Sequence, residues 1–165
     1  MKVNADHGFD LDLGSKIDSK CCKVGVVGLG YVGLPTMIAA ADAGFTVTGI
    51  DIDSERVSRI NDGNSYIDDV SSQTLKDLRD SNRIIATTDY SITADLDVIL
   101  VCVPTPITQH KEPDMLPLAA SIESLAKYRR SGQLLILQST TYPGTTREFE
   151  FLSWWCETAY EGYVT

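Results

Sequence analysis

Apolar residues fall along this chain in short unbroken runs, separated by segments in which they recur every three or four positions. The runs are "KVGVVG" at 23–28, "TVTGID" at 46–51, "RIIATT" at 83–88, "DVILVCV" at 97–103 and "QLLILQS" at 133–139. All are rich in Val, Ile and Leu, the composition of strands buried on both faces. The segments between them read as helices. One covers about residues 31–43 and stops at Gly44, with Pro35 tolerated in its first turn. A second starts after Asp53, a good N-terminal cap, carries Val57 and Ile60 on one face and ends near Gly63. A third spans about 72–81, with Leu75 and Leu78 inward. The last, 115–130, follows Asp114 as cap, aligns Leu118, Ile122, Leu125 and Ala126, and terminates at Gly132. Strands alternating with helices predict an α/β fold: a doubly wound parallel sheet of about five strands.

With 165 residues, 43% of them apolar, the chain can bury one sizeable core and not two. Residues 1–20 carry charge throughout and lack a continuous apolar run, so they read as a mobile leader rather than a secretory signal or a membrane span. Residues 21–149 form the expected domain, and 150–165 an atypical tail. There are no internal repeats and no low-complexity linkers. A net charge of −9 argues against nucleic acid and anionic membranes as partners, so an anionic ligand must be held locally. The cysteines, Cys21, Cys22, Cys102 and Cys156, show no C-x-x-C spacing and no neighbouring His that would activate a thiol. They read as reduced thiols of a cytoplasmic protein, with no metal site implied.

The first strand runs into Gly28, Gly30 and Gly33, a G-x-G-x-x-G pattern at the mouth of a helix. A strand before it, a helix after it and an acid at the end of the next strand together make the fingerprint of a Rossmann-like dinucleotide site. Gly28 permits the tight turn, Gly30 lets the backbone approach a diphosphate, and Gly33 allows close helix–strand packing. The helix N-terminus supplies amides and partial positive charge to that diphosphate. Asp51, 18 positions beyond Gly33, is placed to accept both ribose hydroxyls of the adenosine half and to repel a 2′-phosphate, which favours NAD over NADP. Arg56 opposes this, because a guanidinium there could accept the phosphate. The bland alternatives are that Asp51 only caps the next helix and that Arg56 is a solvated charge.

"VGVVGLGYVGLP", "GIDIDSERV", "VCVPTPITQHKEPDM" and "QSTTYPGTTREF" together resemble, in order and spacing, the amino-terminal half of the nucleotide-sugar 6-dehydrogenases. That family oxidises C6 of a UDP-sugar to a carboxylate with two NAD per turnover. "SYIDDV", "HKEPDM" and "STTYPGTT" look more like the enzymes of UDP-N-acetylhexosamines, UDP-N-acetylglucosamine in particular. The resemblance assigns Tyr31 and Val32 to the cofactor loop, and Asp51 and Arg56 to the adenosine ribose. It places Thr105 beside the cofactor and Thr140 by the nicotinamide and the hydrolytic water, a supporting catalytic role. Read from the residues alone, both threonines could equally be ordinary turn chemistry.

In the family the nucleophile is a cysteine that carries a thiohemiacetal and then a thioester. None of the four cysteines here matches its position, and the "SPE" segment, sixth strand, central dimerising helix and UDP-binding domain lie beyond this sequence. The chain alone is therefore expected to bind NAD without turning over a UDP-sugar. The alternative is a stand-alone nucleotide-binding or interaction module; another Rossmann dehydrogenase, such as a hydroxyacid type, explains "VPTP" and "STTYPGTT" less well. After "PGTTREF" the sequence departs from the family and places Trp154 beside Trp155. These tryptophans and an exposed sheet edge make homo-oligomers an expected form.

Overall fold

The five apolar runs become five strands, each a residue or more shorter than its run. In this computed structural model, which describes residues 8–106 and 113–139 and side chains from residue 13 onward, they are β1 (Lys23–Val27), β2 (Thr46–Ile50), β3 (Ile84–Thr87), β4 (Val98–Val101) and β5 (Leu134–Leu137). All neighbours pair parallel, in the order β3-β2-β1-β4-β5. The chain thus builds outward from β1 to β3, then crosses to the other side of β1 to continue with β4. A crevice opens at the carboxyl ends of β1 and β4, where the direction of winding reverses.

Five α-helices flank the sheet: α1 (Gly8–Asp18), α2 (Gly33–Asp42), α3 (Ser54–Asn61), α4 (Ser72–Asp80) and α5 (Leu116–Ala126). On one face Val24, Val26, Val47 and Ile84 pack with Leu34 and Met37 of α2, Ile60 of α3 and Leu75 of α4. On the other face Val27, Ile50, Ile99 and Val101 pack with Leu118, Ile122 and Leu125 of α5. The sheet is therefore doubly wound, as the alternation of patterns predicts. Asp53 caps α3 by accepting from the N–H groups of Glu55 and Arg56, and Ser71 caps α4 through Thr74 N–H. On the outer edge of β3, the Asn61 side chain both donates to the Ala86 carbonyl and accepts from the Ala86 N–H, each at 2.9 Å.

Two segments differ from the sequence expectation. Within the expected mobile leader, Gly8–Asp18 is a helix, with Leu13 and Ile17 packed against the core and Lys16 Nζ 3.0 Å from Asp97 Oδ1. The fourth expected helix ends at Ala126 rather than Arg130. Leaving the helix frees Arg130 to turn back, donating to the carbonyls of Ala94 and Leu96 and to Asp97 Oδ1 at 3.0 Å. Asp97 Oδ2 also accepts from the Lys23 N–H at 2.9 Å. Burial opposes ionisation of this 6%-exposed carboxyl, yet the Lys23 amide, Lys16 and Arg130 hold it below the ordinary carboxylate range. The residues from Asp97 back to α1 are thereby tied together under the amino ends of the strands. The expected tail, 150–165, lies outside the described residues.

Candidate cofactor site

At the carboxyl end of β1 the chain turns sharply through Gly28, whose φ of 87° suits glycine. A Cβ there would also press against the backbone of Cys102 and Val103 at 3.0 Å, so the turn can lie this close to the end of β4 only without a side chain. At Gly33 a Cβ would stand 1.7 Å from the Gly28 carbonyl oxygen, which ties the start of α2 to the turn. At Gly30, by contrast, a Cβ would meet nothing within 4 Å. Of the three glycines, two are required by packing and the third faces open space, where a diphosphate can approach the backbone. Helix α2 starts at Gly33, two residues later than the pattern predicts, so Tyr31 and Val32 lie in the turn before it, 83% and 51% exposed. No side chain caps this end of α2. Its amides and partial positive charge suit an anion.

Asp51 follows β2 and is 4% exposed. Its Oδ2 accepts from the Leu29 N–H at 2.7 Å and its Oδ1 from the Asp53 N–H at 2.9 Å. Arg56 Nη1 approaches Oδ2 at 3.4 Å, while Arg56 Nε lies 3.4 Å from Asp53 Oδ2. Oδ1, with one donor, keeps acceptor capacity for a hydroxyl, while the second position on Oδ2 is held only by the long Arg56 contact. The helix-capping alternative belongs to Asp53, not to Asp51.

Gly28, Asp51, Asp53 and Arg56 line one cavity of about 410 Å³, together with Ile52, Val103 and Pro104. Its far wall comes from Tyr90 and from Pro117, Ala120, Ser121 and Ser124 of α5. A few polar groups converge there on largely apolar walls, as in ligand sites generally. Burial pushes the Tyr90 phenol up, and its hydrogen bond to Ser121 works against that rise. Sequence reading missed the α5 wall and Tyr90; the small residues Ala120, Ser121 and Ser124, spaced along one helix, are the only signal it offered. It also missed Tyr66, whose hydroxyl donates to the Leu29 carbonyl. Thr105 is half-buried beyond the end of β4 and does not line this cavity. Thr140 lies outside the described residues, as do His110 and Lys111. Among the described residues no cluster could hold a metal ion, and no helix is long and apolar enough to cross a membrane.

A parallel sheet in this order, with a glycine turn at the crevice and a buried acid after the second strand, defines a dinucleotide-binding domain. Residues 22–159 match the UDP-glucose/GDP-mannose dehydrogenase family, NAD binding domain, and the chain belongs to that family. The UDP-N-acetyl-D-glucosamine 6-dehydrogenase of Pseudomonas aeruginosa is 38% identical over 129 residues, covering 78% of this chain and 30% of that protein. A UDP-N-acetyl-D-mannosamine dehydrogenase of Methanococcus aeolicus is 37% identical over 131 residues, covering 76% and 29%. Among solved structures, the UDP-D-ManNAc dehydrogenase of Pyrococcus horikoshii superposes with a TM-score of 0.75 at 31% identity, over 84% of this chain and 34% of that one. A ternary complex of GDP-mannose dehydrogenase from Pseudomonas aeruginosa gives 0.73 at 26% identity, over 82% and 32%. The chain thus spans about 30% of the length of the curated relatives it matches. The cofactor of this domain is NAD.

Proposed function

We propose that residues 21–149 hold NAD for a nucleotide-sugar 6-dehydrogenase that oxidises C6 of a UDP-sugar to the carboxylate, and that this chain alone does not turn over. The observation that carries the reading is Asp51: a buried carboxylate, fixed by two backbone N–H groups, that still borders a cavity beside the glycine turn. Its oxygens accept the adenosine ribose hydroxyls, and the backbone of Gly30, Tyr31 and Val32 takes the diphosphate. Gly28 and Gly33 set the turn that presents them. Bound NAD supplies the hydride acceptor; the chain's own residues bind and orient it. Thr105 and Thr140 belong to the nicotinamide side, Thr140 in support of the chemistry.

Engagement of Arg56 by Asp51 and Asp53 supports NAD over NADP, since a guanidinium already facing two carboxylates is a poor receptor for a 2′-phosphate. UDP-N-acetylglucosamine is the substrate we assign. "SYIDDV", "HKEPDM" and "STTYPGTT" support it, as does the name of the Pseudomonas aeruginosa relative. The two buried thiols support the absence of turnover. Burial, then Asp97, pushes Cys22 up to about 11, and burial also pushes Cys102 up, so both stay protonated at neutral pH and are poor nucleophiles.

Calorimetric titration of the purified chain with NAD and NADP, followed by an assay with NAD and UDP-N-acetylglucosamine, tests this. Binding of NAD in preference to NADP, with no NADH formed, is the expected result. Equal binding of both dinucleotides would remove the Asp51 assignment, and NADH formation by the chain alone would refute the inactivity.

A further inference from the structure

Leu29, inside the glycine turn, is held through both of its flanking peptide groups. Its N–H donates to Asp51, and its carbonyl accepts from the hydroxyl of Tyr66, 37 residues away. A trans peptide is planar, so the Leu29 carbonyl and the Gly30 N–H point in opposite directions. With the carbonyl drawn to Tyr66, the Gly30 N–H is turned away from it. Among the described residues that N–H meets no acceptor, and the space beside Gly30 is open.

Tyr66 is itself well fixed. The Arg59 guanidinium lies over its ring, 5.4 Å from the centroid, and donates to the Ser65 carbonyl. The Ser65 N–H in turn donates to Ser72 Oγ at 3.0 Å, so the turn carrying Tyr66 is braced by both α3 and α4. Burial, and then the Asp51 charge, push the Tyr66 phenol up to about 12, which keeps it a hydrogen-bond donor at neutral pH.

We propose that Tyr66 is a positioning residue for the cofactor diphosphate: by binding the Leu29 carbonyl it orients the Gly30 N–H outward and strengthens it as a donor. Polarising one end of a peptide group makes its other end a better partner. The proposal rests on the NAD reading above. It assigns a task to a side chain that bonds the loop at Leu29 and does not line the cavity.

The test compares the chain with its Tyr66→Phe variant, which keeps the ring under Arg59 and removes only the hydroxyl. Nitrogen-15 amide spectra are recorded during titration with ADP-ribose, which carries the diphosphate, and with adenosine, which lacks it. Loss of a well-oriented Gly30 N–H bond to the diphosphate predicts binding of ADP-ribose weakened about five- to tenfold, with adenosine unchanged. In the ligand-free spectra the Gly30 nitrogen resonance should shift, because its peptide carbonyl has lost a donor. Equal weakening of both ligands would indicate a merely structural role and overturn the proposal, as would a Gly30 resonance that does not move. A wild-type chain that binds neither ligand would instead break the NAD reading itself. Wild-type binding matched by the variant would break only the assignment of Tyr66.

Discussion

Two aspartates, Asp51 and Asp97, lie at opposite ends of the sheet, and their surroundings separate a site from a joint. Both are buried, each accepts at least one backbone N–H, and each faces a guanidinium. Asp97, under the amino ends of the strands, is closed in by Lys16 and Arg130, each at 3.0 Å, and by the Lys23 amide. Asp51, at the carboxyl ends, has a single cation at 3.4 Å and borders a cavity. Burial and charge alone do not distinguish them. A border on open space does.

The largest effect that would sharpen this contrast is on cofactor affinity. Hydrogen bonds to a charged acceptor contribute about 1.5–3 kcal/mol each, so removing those to two ribose hydroxyls in Asp51→Ala should weaken NAD about 100-fold or more. Stability should suffer less, because the cavity gives water access to the freed N–H groups of Leu29 and Asp53. Full NAD affinity in this variant, measured by calorimetry, would end the ribose assignment.

Asp97→Ala should do the converse. Breaking a buried charge pair costs about 3–5 kcal/mol, but Lys16 and Arg130, 35% and 38% exposed, can regain water, so about 2 kcal/mol is expected. That loss should lower the melting temperature by about 4–8 °C and leave NAD affinity unchanged. Because folding depresses the Asp97 pKa, its contribution is present above the ordinary value of 3.8 and is lost as pH falls through the lower folded value. Denaturant titrations of the two proteins should therefore converge as pH drops below about 4. If Asp97→Ala weakened NAD as much as Asp51→Ala, the distinction between the two ends would collapse.

The smallest effect concerns α1. Lys16→Ala removes one half-exposed partner of Asp97 while Arg130 remains, and should cost about 0.5–1 kcal/mol by the same denaturant measurement. A loss as large as that of Asp97→Ala would mean that Lys16, not the whole cluster, holds the helix.

The sequence made legible whatever depends on near neighbours. The strands could be read because Val24, Val26, Ile99 and Val101 sit in runs apolar on both faces, and α3 because Asp53 caps it two and three residues ahead. The glycine turn and Asp51 could be read because their spacing is local to one strand–helix–strand unit. What could not be read depends on partners far along the chain. Among the described side chains of helix α1, Leu13 and Ile17 are the apolar ones packed on the core, and the helix gains its anchor from Asp97, 81 positions beyond Lys16. The early end of α5 reflects the reach of Arg130 to Leu96 and Asp97, and the place of Tyr66 at the loop reflects a bond to Leu29. Neither bond leaves a mark in periodicity or capping.

The paired hydrogen bonds from Asn61 to Ala86 close the outer edge of β3 to a further strand. On the β3 side, an incoming extended chain must first displace a side-chain amide that already imitates a neighbouring strand. On the β5 side, no described residue guards the outer edge in this way. Should copies of this chain add to one another through their backbones, seeding at the β3 border is blocked by a single asparagine.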